Sequence, residues 1–328
     1  MAQDHNRDLP ARLVGLPKRP TLARFLDFWL AHTAWQQLRF TTARTYASTV
    51  LRLVVPVLGE IPVRRLTTAN IEHAQVAWQR AGVTPSMRRK AVEVLRSALR
   101  HAVALGLCEH NAASRSTVPK KGERAPQWLD RDGARRLLDS VRGHPLESAY
   151  ALALGLGLRR GEILGLTWDD VDLDERVLRV RWNRIEYSAG TRLAAPKTAA
   201  SRRALAMPRF LAACLRRQRA RELRKASKVG ASLHGSDPVL TTRNRRPYWN
   251  SYLHSELQLR LRRLAMPRMR YHDLRHTAAS LMLAEGISPR TVMEIMGHRN
   301  LAVTMLVYGH VNLRHQRLAV AVIDKALE

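Results

Sequence analysis

The sequence predicts a mostly α-helical protein with a small β-sheet, arranged as two basic domains in series. Three observations lead there. Apolar residues recur at helical spacing through residues 21–113 and through most of the chain beyond 128. One stretch, 176–182, alternates with period two instead and reads as a strand. Between the two periodic regions, residues 114–127 are polar, basic and rich in chain breakers, the signature of an interdomain linker. A chain of 328 residues has room for about two buried cores.

Residues 1–20 hold three prolines and no sustained apolar period, which predicts a flexible basic lead-in. Leu22, Phe25, Leu26 and Trp29 then recur at helical spacing, and Thr41 or Thr42 reads as the cap of the next helix. Pro62 and Leu66-Thr67-Thr68 separate it from a helix beginning near Asn70. The clearest helix opens at Thr84-Pro85, a cap followed by proline at the first helical position. It runs on through Val92, Leu95, Leu99 and Val103 and stops at Gly106. Arg88, Arg89, Lys90, Arg96 and Arg100 fill much of its other face. Such a face is either solvated or laid against phosphates.

Beyond the linker the pattern predicts helices near 130–142 and 146–166, then the strand at 176–182. A second strand runs towards Ala195-Pro196-Lys197 and a third covers Arg203–Met207. Helices follow at 209–226, 249–264, 272–285 and 288–297. Near the C-terminus, Leu318, Val322, Ile323, Ala326 and Leu327 form an apolar stripe on a short helix over about 314–328. No internal repeat is visible.

Composition bounds the partner. The 56 Lys and Arg against 27 Asp and Glu leave a net charge of +29. That excess costs self-repulsion in the compact state and points to a polyanion, DNA or RNA. A high-GC genome would raise Arg without such meaning, but it does not account for the scarcity of Asp and Glu. The two cysteines, Cys108 and Cys214, are too few for a disulfide framework or a Cys-rich metal site. No signal peptide and no apolar run of the ~18 residues a membrane span requires are present. The expectation is a cytoplasmic, nucleoid-associated bacterial protein with no membrane partner.

Four segments hold the groups a phosphodiester transfer needs: a nucleophile, cations for the non-bridging oxygens and an acid for the leaving oxygen. The first is Gly157-Leu158-Arg159-Arg160-Gly161-Glu162, followed by Leu166-Thr167-Trp168-Asp169-Asp170. The second is Pro196-Lys197-Thr198 at a predicted turn, with Ser201-Arg202-Arg203 after it. The third is His272-Asp273-Leu274-Arg275-His276. The fourth is Met296-Gly297-His298, with Tyr308-Gly309-His310 ten residues on.

Together, and in this order, these segments resemble the tyrosine recombinase (phage integrase) family, whose boxes read Gly-x-Arg-x-x-Glu, His-x-Leu-Arg-His, Gly-His and Tyr-x-His. The resemblance is firm over about 128–312 and looser over 21–113. It implies a helical SAM-like core-binding domain (21–113) before an α+β catalytic domain (128–328). It further implies that Arg159 and Arg275 hold the scissile phosphate, whose oxygens match the guanidinium fork. Lys197 would protonate the leaving 5′ oxygen. His272 and His298 would donate to the phosphate or help the proton leave Tyr308, the nucleophile. Glu162, His276 and His310 would support them, Arg160 is read as surface charge and Trp168 as core. No metal or other cofactor is called for.

Leu156 stands where family members often have Thr, and Met296 where Leu is common. Neither removes a group the chemistry uses. Twenty residues before the first helix are too few for a folded arm-binding domain, so the likeness is to compact two-domain members. The family also implies recombination sites in double-stranded DNA as partner, a homotetramer on paired sites that is weakly associated or monomeric when free, and an accessory excision factor. The terminal helix would dock on its own core or pack into a neighbouring protomer. A type IB topoisomerase shares this chemistry, a DNA-binding regulator shares the fold, and an RNA-binding protein shares the charge but leaves the boxes unexplained.

Overall fold

The structure, a computed structural model, describes residues 16–119, 127–187, 190–195 and 202–297. The chain falls into two units, Met1–Arg124 and Ala125–Glu328.

In the first unit, α1 (Leu22–Trp29) starts where Thr21 accepts a hydrogen bond from the Arg24 amide, and it buries the expected Leu22, Phe25, Leu26 and Trp29. It continues through a π-turn at Leu30–Ala34 into α2 (Trp35–Gln37). The next helix, α3 (Phe40–Thr49), begins at Phe40 with Arg39 extended before it. Thr41 and Thr42 therefore sit inside its first turn and cap nothing. A second π-turn, Val50–Val54, leads into α4 (Val55–Leu58). Pro56 explains it: proline has no N–H and its ring crowds the carbonyl four residues back, so the turn before it widens. Helix α5 (Thr68–Arg80) starts earlier than Asn70, because Thr67 is the cap and Asn70 answers it from the third position in a capping box. Helix α6 (Pro85–Ala104) has the predicted Thr84 cap and first-turn proline, and buries Val92, Leu95 and Leu99.

In the second unit, α7 (Arg131–Ser140) is capped by Asp130. The helix expected over 146–166 is in fact two, α8 (Glu147–Leu156) and α9 (Arg160–Gly165). Gly157 separates them in the left-handed conformation, φ 61°. Five short strands follow: β1 (Val171–Asp172), β2 (Val177–Val180), β3 (Asn183–Tyr187), β4 (Gly190–Ala194) and β5 (Arg203–Ala206). They make two small sheets among the described residues rather than one, an antiparallel β1-β2-β5 sheet and the β3-β4 hairpin. The β2-β5 register pairs Val180 with Arg203 and Leu178 with Leu205. Four helices complete the unit: α10 (Arg209–Ser227), α11 (Asn250–Arg263), α12 (Asp273–Ala284) and α13 (Pro289–Met296).

The buried α8 is the centre of this unit, with α10 and α12 packed against it. Nine of its residues are buried, Leu152 and Tyr150 completely. Trp168 fills the same core, as expected. The terminal helix predicted over 314–328 lies outside the described residues. Among the described residues no helix is long and apolar enough to cross a membrane.

Candidate active site

The break between α8 and α9 positions the first arginine. After Gly157 the backbone runs extended through Arg159 (φ −68°, ψ 148°), which makes Arg159 the N-cap of α9. Three residues on, Glu162 turns back: its Oε2 accepts the Arg159 amide at 2.9 Å and its Oε1 accepts Arg159 Nη1 at 2.7 Å. The other fork nitrogen, Nη2, donates to the Gly297 carbonyl at 3.1 Å. Spacing alone thus turns Gly-x-Arg-x-x-Glu into a clamp.

Arg275, in the first turn of α12, reaches the same place from the other side and is only 2% exposed. Its Nη1 donates to the Gly157 carbonyl at 2.6 Å, and its Nη2 donates to the Met296 carbonyl. Its Nε has no hydrogen-bond partner among the described residues. A guanidinium has five N–H donors, so both arginines keep donors for an incoming anion. The acceptors at 296 and 297 belong to the C-terminal end of α13, where the last carbonyls of a helix lack helical partners and carry partial negative charge. Gly297 ends that helix at φ 62°.

Electrostatics follow from burial. Glu162 is 2% exposed. Burial pushes its carboxyl up, but the charges and hydrogen bonds of Arg203 and Arg159 outweigh that and hold it below the usual carboxylate range. Burial, then the charge of Arg159, brings the Arg275 guanidinium down to about 9, still protonated at neutral pH. His272 is more open to solvent, yet desolvation and then the charges of His276, Arg275 and Arg159 push it down to about 4. It is therefore a neutral imidazole at neutral pH. The His276 ring stands edge-on to it, with centroids 5.0 Å apart, and is lowered chiefly by burial.

The structure thus brings together Arg159, Glu162, His272, Arg275 and His276. Lys197, His298, Tyr308 and His310 lie outside the described residues. Arg160 is half-buried and, among the described residues, joins none of the cluster's hydrogen bonds. One residue absent from the predicted set belongs to it. Arg203 on β5 donates from Nη2 and Nη1 to Glu162 at 3.1 and 3.3 Å, and from Nε to the Ile295 carbonyl at 2.7 Å. The available signal was parity: Arg203 shares a strand face with buried Leu205, so it points inward.

The basic face of α6 is largely committed within its own unit. Arg88 donates to Gln79 at 2.8 Å, and Lys90 pairs with Glu93 at 2.6 Å. Arg96 donates to the carbonyls of Ala113 and Ser116 at 2.8 and 2.7 Å, which makes it a structural pin. Arg89 is half-buried, and its Nε is without a partner among the described residues.

A first expectation concerns Gly157. A Cβ there would run into the buried Met296 thioether, at a φ that L side chains disfavour. Gly157→Ala is expected to cost roughly 1–3 kcal/mol through left-handed strain and repacking. Equilibrium urea unfolding checks this, with no change in midpoint as the contrary result.

The model of the phage integrase family matches residues 127–315, more than half of the chain. The chain belongs to that family. A tyrosine recombinase XerC-like protein of Caldanaerobacter subterraneus is 30% identical over 224 residues, 63% of this chain and 56% of the relative, so the match leaves over two fifths of that relative uncovered. A tyrosine recombinase XerC of Alcanivorax borkumensis is 28% identical, covering 79% of this chain and 80% of the relative. Among solved structures, the Tn1549 transposon integrase in complex with a circular intermediate DNA superposes with a TM-score of 0.78 at 18% identity, over 93% of this chain and 99% of that one. A lambda integrase dimer bound to a core site gives 0.63 at 18% identity, over 92% and 81%. This integrase-family chain therefore has the fold of those integrases: mostly helical, with small antiparallel sheets.

Proposed function

We propose that this integrase-family protein is a site-specific DNA recombinase that cuts and rejoins DNA through a 3′-phosphotyrosine at Tyr308. One observation carries the reading. Arg159 and Arg275 come from separate segments, yet their guanidiniums meet the adjacent carbonyls of Gly297 and Met296, so two cationic forks converge on one point. Such convergence suits the two non-bridging oxygens of one phosphate.

The tyrosine oxygen attacks phosphorus, forming the P–O–Tyr bond as the bond to the 5′ oxygen breaks. Lys197 supplies the proton that makes the leaving group a 5′-hydroxyl. His272 and His298 donate to the phosphate or accept the phenol proton, while Glu162, His276 and His310 keep these groups in place. A 5′-hydroxyl from another strand reverses the step. One ester bond is exchanged for another, so the transfer needs no ATP. The Tn1549 and lambda structures, both with DNA, support a duplex partner. Arg88, Arg89 and Lys90 on α6 would meet backbone phosphates.

The domain assignment is a core-binding domain over 21–113 and a catalytic domain over 128–328. The working assembly is a homotetramer on paired sites, as the lambda integrase tetramer on a Holliday junction supports. Exchange of the 314–328 helix between protomers would link it. A cleft of about 700 Å³ in the second unit, walled by Leu154, Phe210, Leu281 and Met282 and rimmed by Arg131 and Arg135, is a fitting acceptor for that stripe. An accessory excision factor is a further partner, and the place of work is the bacterial cytoplasm and nucleoid.

The test uses nicked duplexes from the DNA flanking the gene, incubated with the protein in EDTA and run under denaturing conditions. The wild type is expected to yield a covalent protein–DNA adduct and Tyr308→Phe none. An adduct from Tyr308→Phe would displace the nucleophile. Tight binding without an adduct from either protein would favour a regulator on the same fold.

A further inference from the structure

Three consecutive carbonyls at the end of α13 each accept a different arginine: Ile295 from Arg203, Met296 from Arg275 and Gly297 from Arg159. Two of those arginines belong to the proposed phosphate pocket. The third has a different kind of engagement. Arg203 has an 8% exposed side chain and grips both oxygens of Glu162 while its Nε holds the helix end.

We infer that Arg203 is a positioning residue for phosphodiester cleavage, tying the Glu162 carboxylate to the end of α13 so that Arg159 and Arg275 meet the phosphate in register. The inference rests on the recombinase reading above. The connections are short and physical. Glu162 orients Arg159 through its side chain and its backbone amide. The Ile295 carbonyl adjoins the two carbonyls that orient Arg275 and Arg159. Removing Arg203 therefore loosens the Glu162 hold on Arg159 and the helix end that both forks share, although Arg203 itself need not touch DNA. Arg203 also stands six residues beyond Lys197 and begins β5, whose register with β2 fixes its place.

Charge points the same way. Arg159, Arg203 and Arg275 all face the Glu162 carboxylate, and Arg203 is the largest of the influences that oppose its burial. Without Arg203, desolvation would raise the Glu162 carboxyl, and its protonation would release Arg159. Cleavage would then fail at a higher pH on the acid side than in the wild type. A role confined to folding would lower the amount of active protein without moving that limb.

The experiment compares wild type, Arg203→Met and Arg203→Lys as full chains, by circular dichroism, duplex binding and single-turnover adduct formation from pH 5 to 9. Arg203→Met is expected to slow cleavage ~100-fold at neutral pH, the scale of a small misplacement of catalytic groups. Its duplex affinity is expected to stay within about threefold, because many phosphates share the binding. Its acid limb is expected to move up in pH, and adding Glu162→Gln should abolish that movement. Arg203→Lys keeps the buried charge but, as a point donor, cannot bridge Glu162 and Ile295 together. It is expected to keep the wild-type limb with ~10-fold slower cleavage, and it serves alone if Arg203→Met does not fold. A wild-type rate in either folded variant, or a slowed Arg203→Met with an unmoved acid limb, overturns the inference. No adduct from the wild type would instead remove the recombinase reading beneath it.

Discussion

Arg275→Met is expected to reduce single-turnover cleavage by roughly 10³-fold while weakening duplex binding less than about tenfold. The two effects separate because Arg275 is 2% exposed and its fork converges with that of Arg159 at the adjacent carbonyls of Met296 and Gly297. A buried guanidinium contributes little to sliding contact with a polyanion, but it stabilises charge that grows on one phosphate in the transition state. Methionine fills most of the space, so the structural cost comes from the carbonyls of Gly157 and Met296 that lose a donor. Each unsatisfied carbonyl costs about 1–3 kcal/mol. Relief of a buried charge beside Arg159 offsets part of that. Melting should therefore fall by only a few degrees. Gel-shift and adduct assays on the same preparation check this; cleavage and binding falling in parallel would sink the phosphate-clamp role.

The second large effect is on stability. Glu162→Ala removes a carboxylate that Arg159 and Arg203 share, at a site where the carboxyl side chain is 3% exposed. Breaking a buried pair by removing one partner costs roughly 3–5 kcal/mol, because it leaves uncompensated charge. For a unit of this size that lowers the melting temperature by about 6–20 °C. The pH dependence has a definite sign. The folded carboxyl lies below its ordinary range, so its contribution is present above the unfolded pKa and is lost as pH falls through the folded value. Thermal melts taken downward from pH 7 should show the wild type converging on Glu162→Ala in acid. A gap between the two that stays constant with pH would show that the ionised carboxylate is not what holds the unit together.

The legible parts of the fold are those whose signals are local. The Thr84-Pro85 start and Gly106 stop of α6 are complete in sequence, because caps depend on a few adjacent residues. The break after α8 was hidden for the opposite reason. Nine α8 residues are buried, so no polar face marks its period, and apolar residues resume at Ile163 and Leu164 beyond Arg159-Arg160-Gly161-Glu162. The start of α5 lies two residues before Asn70, because a capping box places polar residues at both of its ends.

The site divides likewise. Arg159, Glu162 and Arg275 stand in boxes that resemble the family's, and the three-residue spacing of Arg159 and Glu162 makes their contact local. Arg203 was not legible, since its partners Glu162 and Ile295 are distant in the chain and only the β2-β5 pairing delivers it. The basic stripe on α6 looked available in sequence, yet Arg96 is taken up by carbonyls around residues 113–116. Composition counts charges; only tertiary contacts say how they are used.

The carbonyl triplet at 295–297 has a consequence for sequence drift. What the three arginines recognise there is peptide backbone, which every residue type supplies. Side chains at 295 and 296 can therefore change size or branching without erasing the acceptors, provided the helix end keeps its place. Met296, where leucine is common in the family, is one such exchange. Only Gly297, at φ 62°, is held to its identity by conformation. A pocket organised around main-chain oxygens is insulated from much of the substitution that separates distant relatives, and in this clamp the arginines and Glu162 are what must persist as side chains.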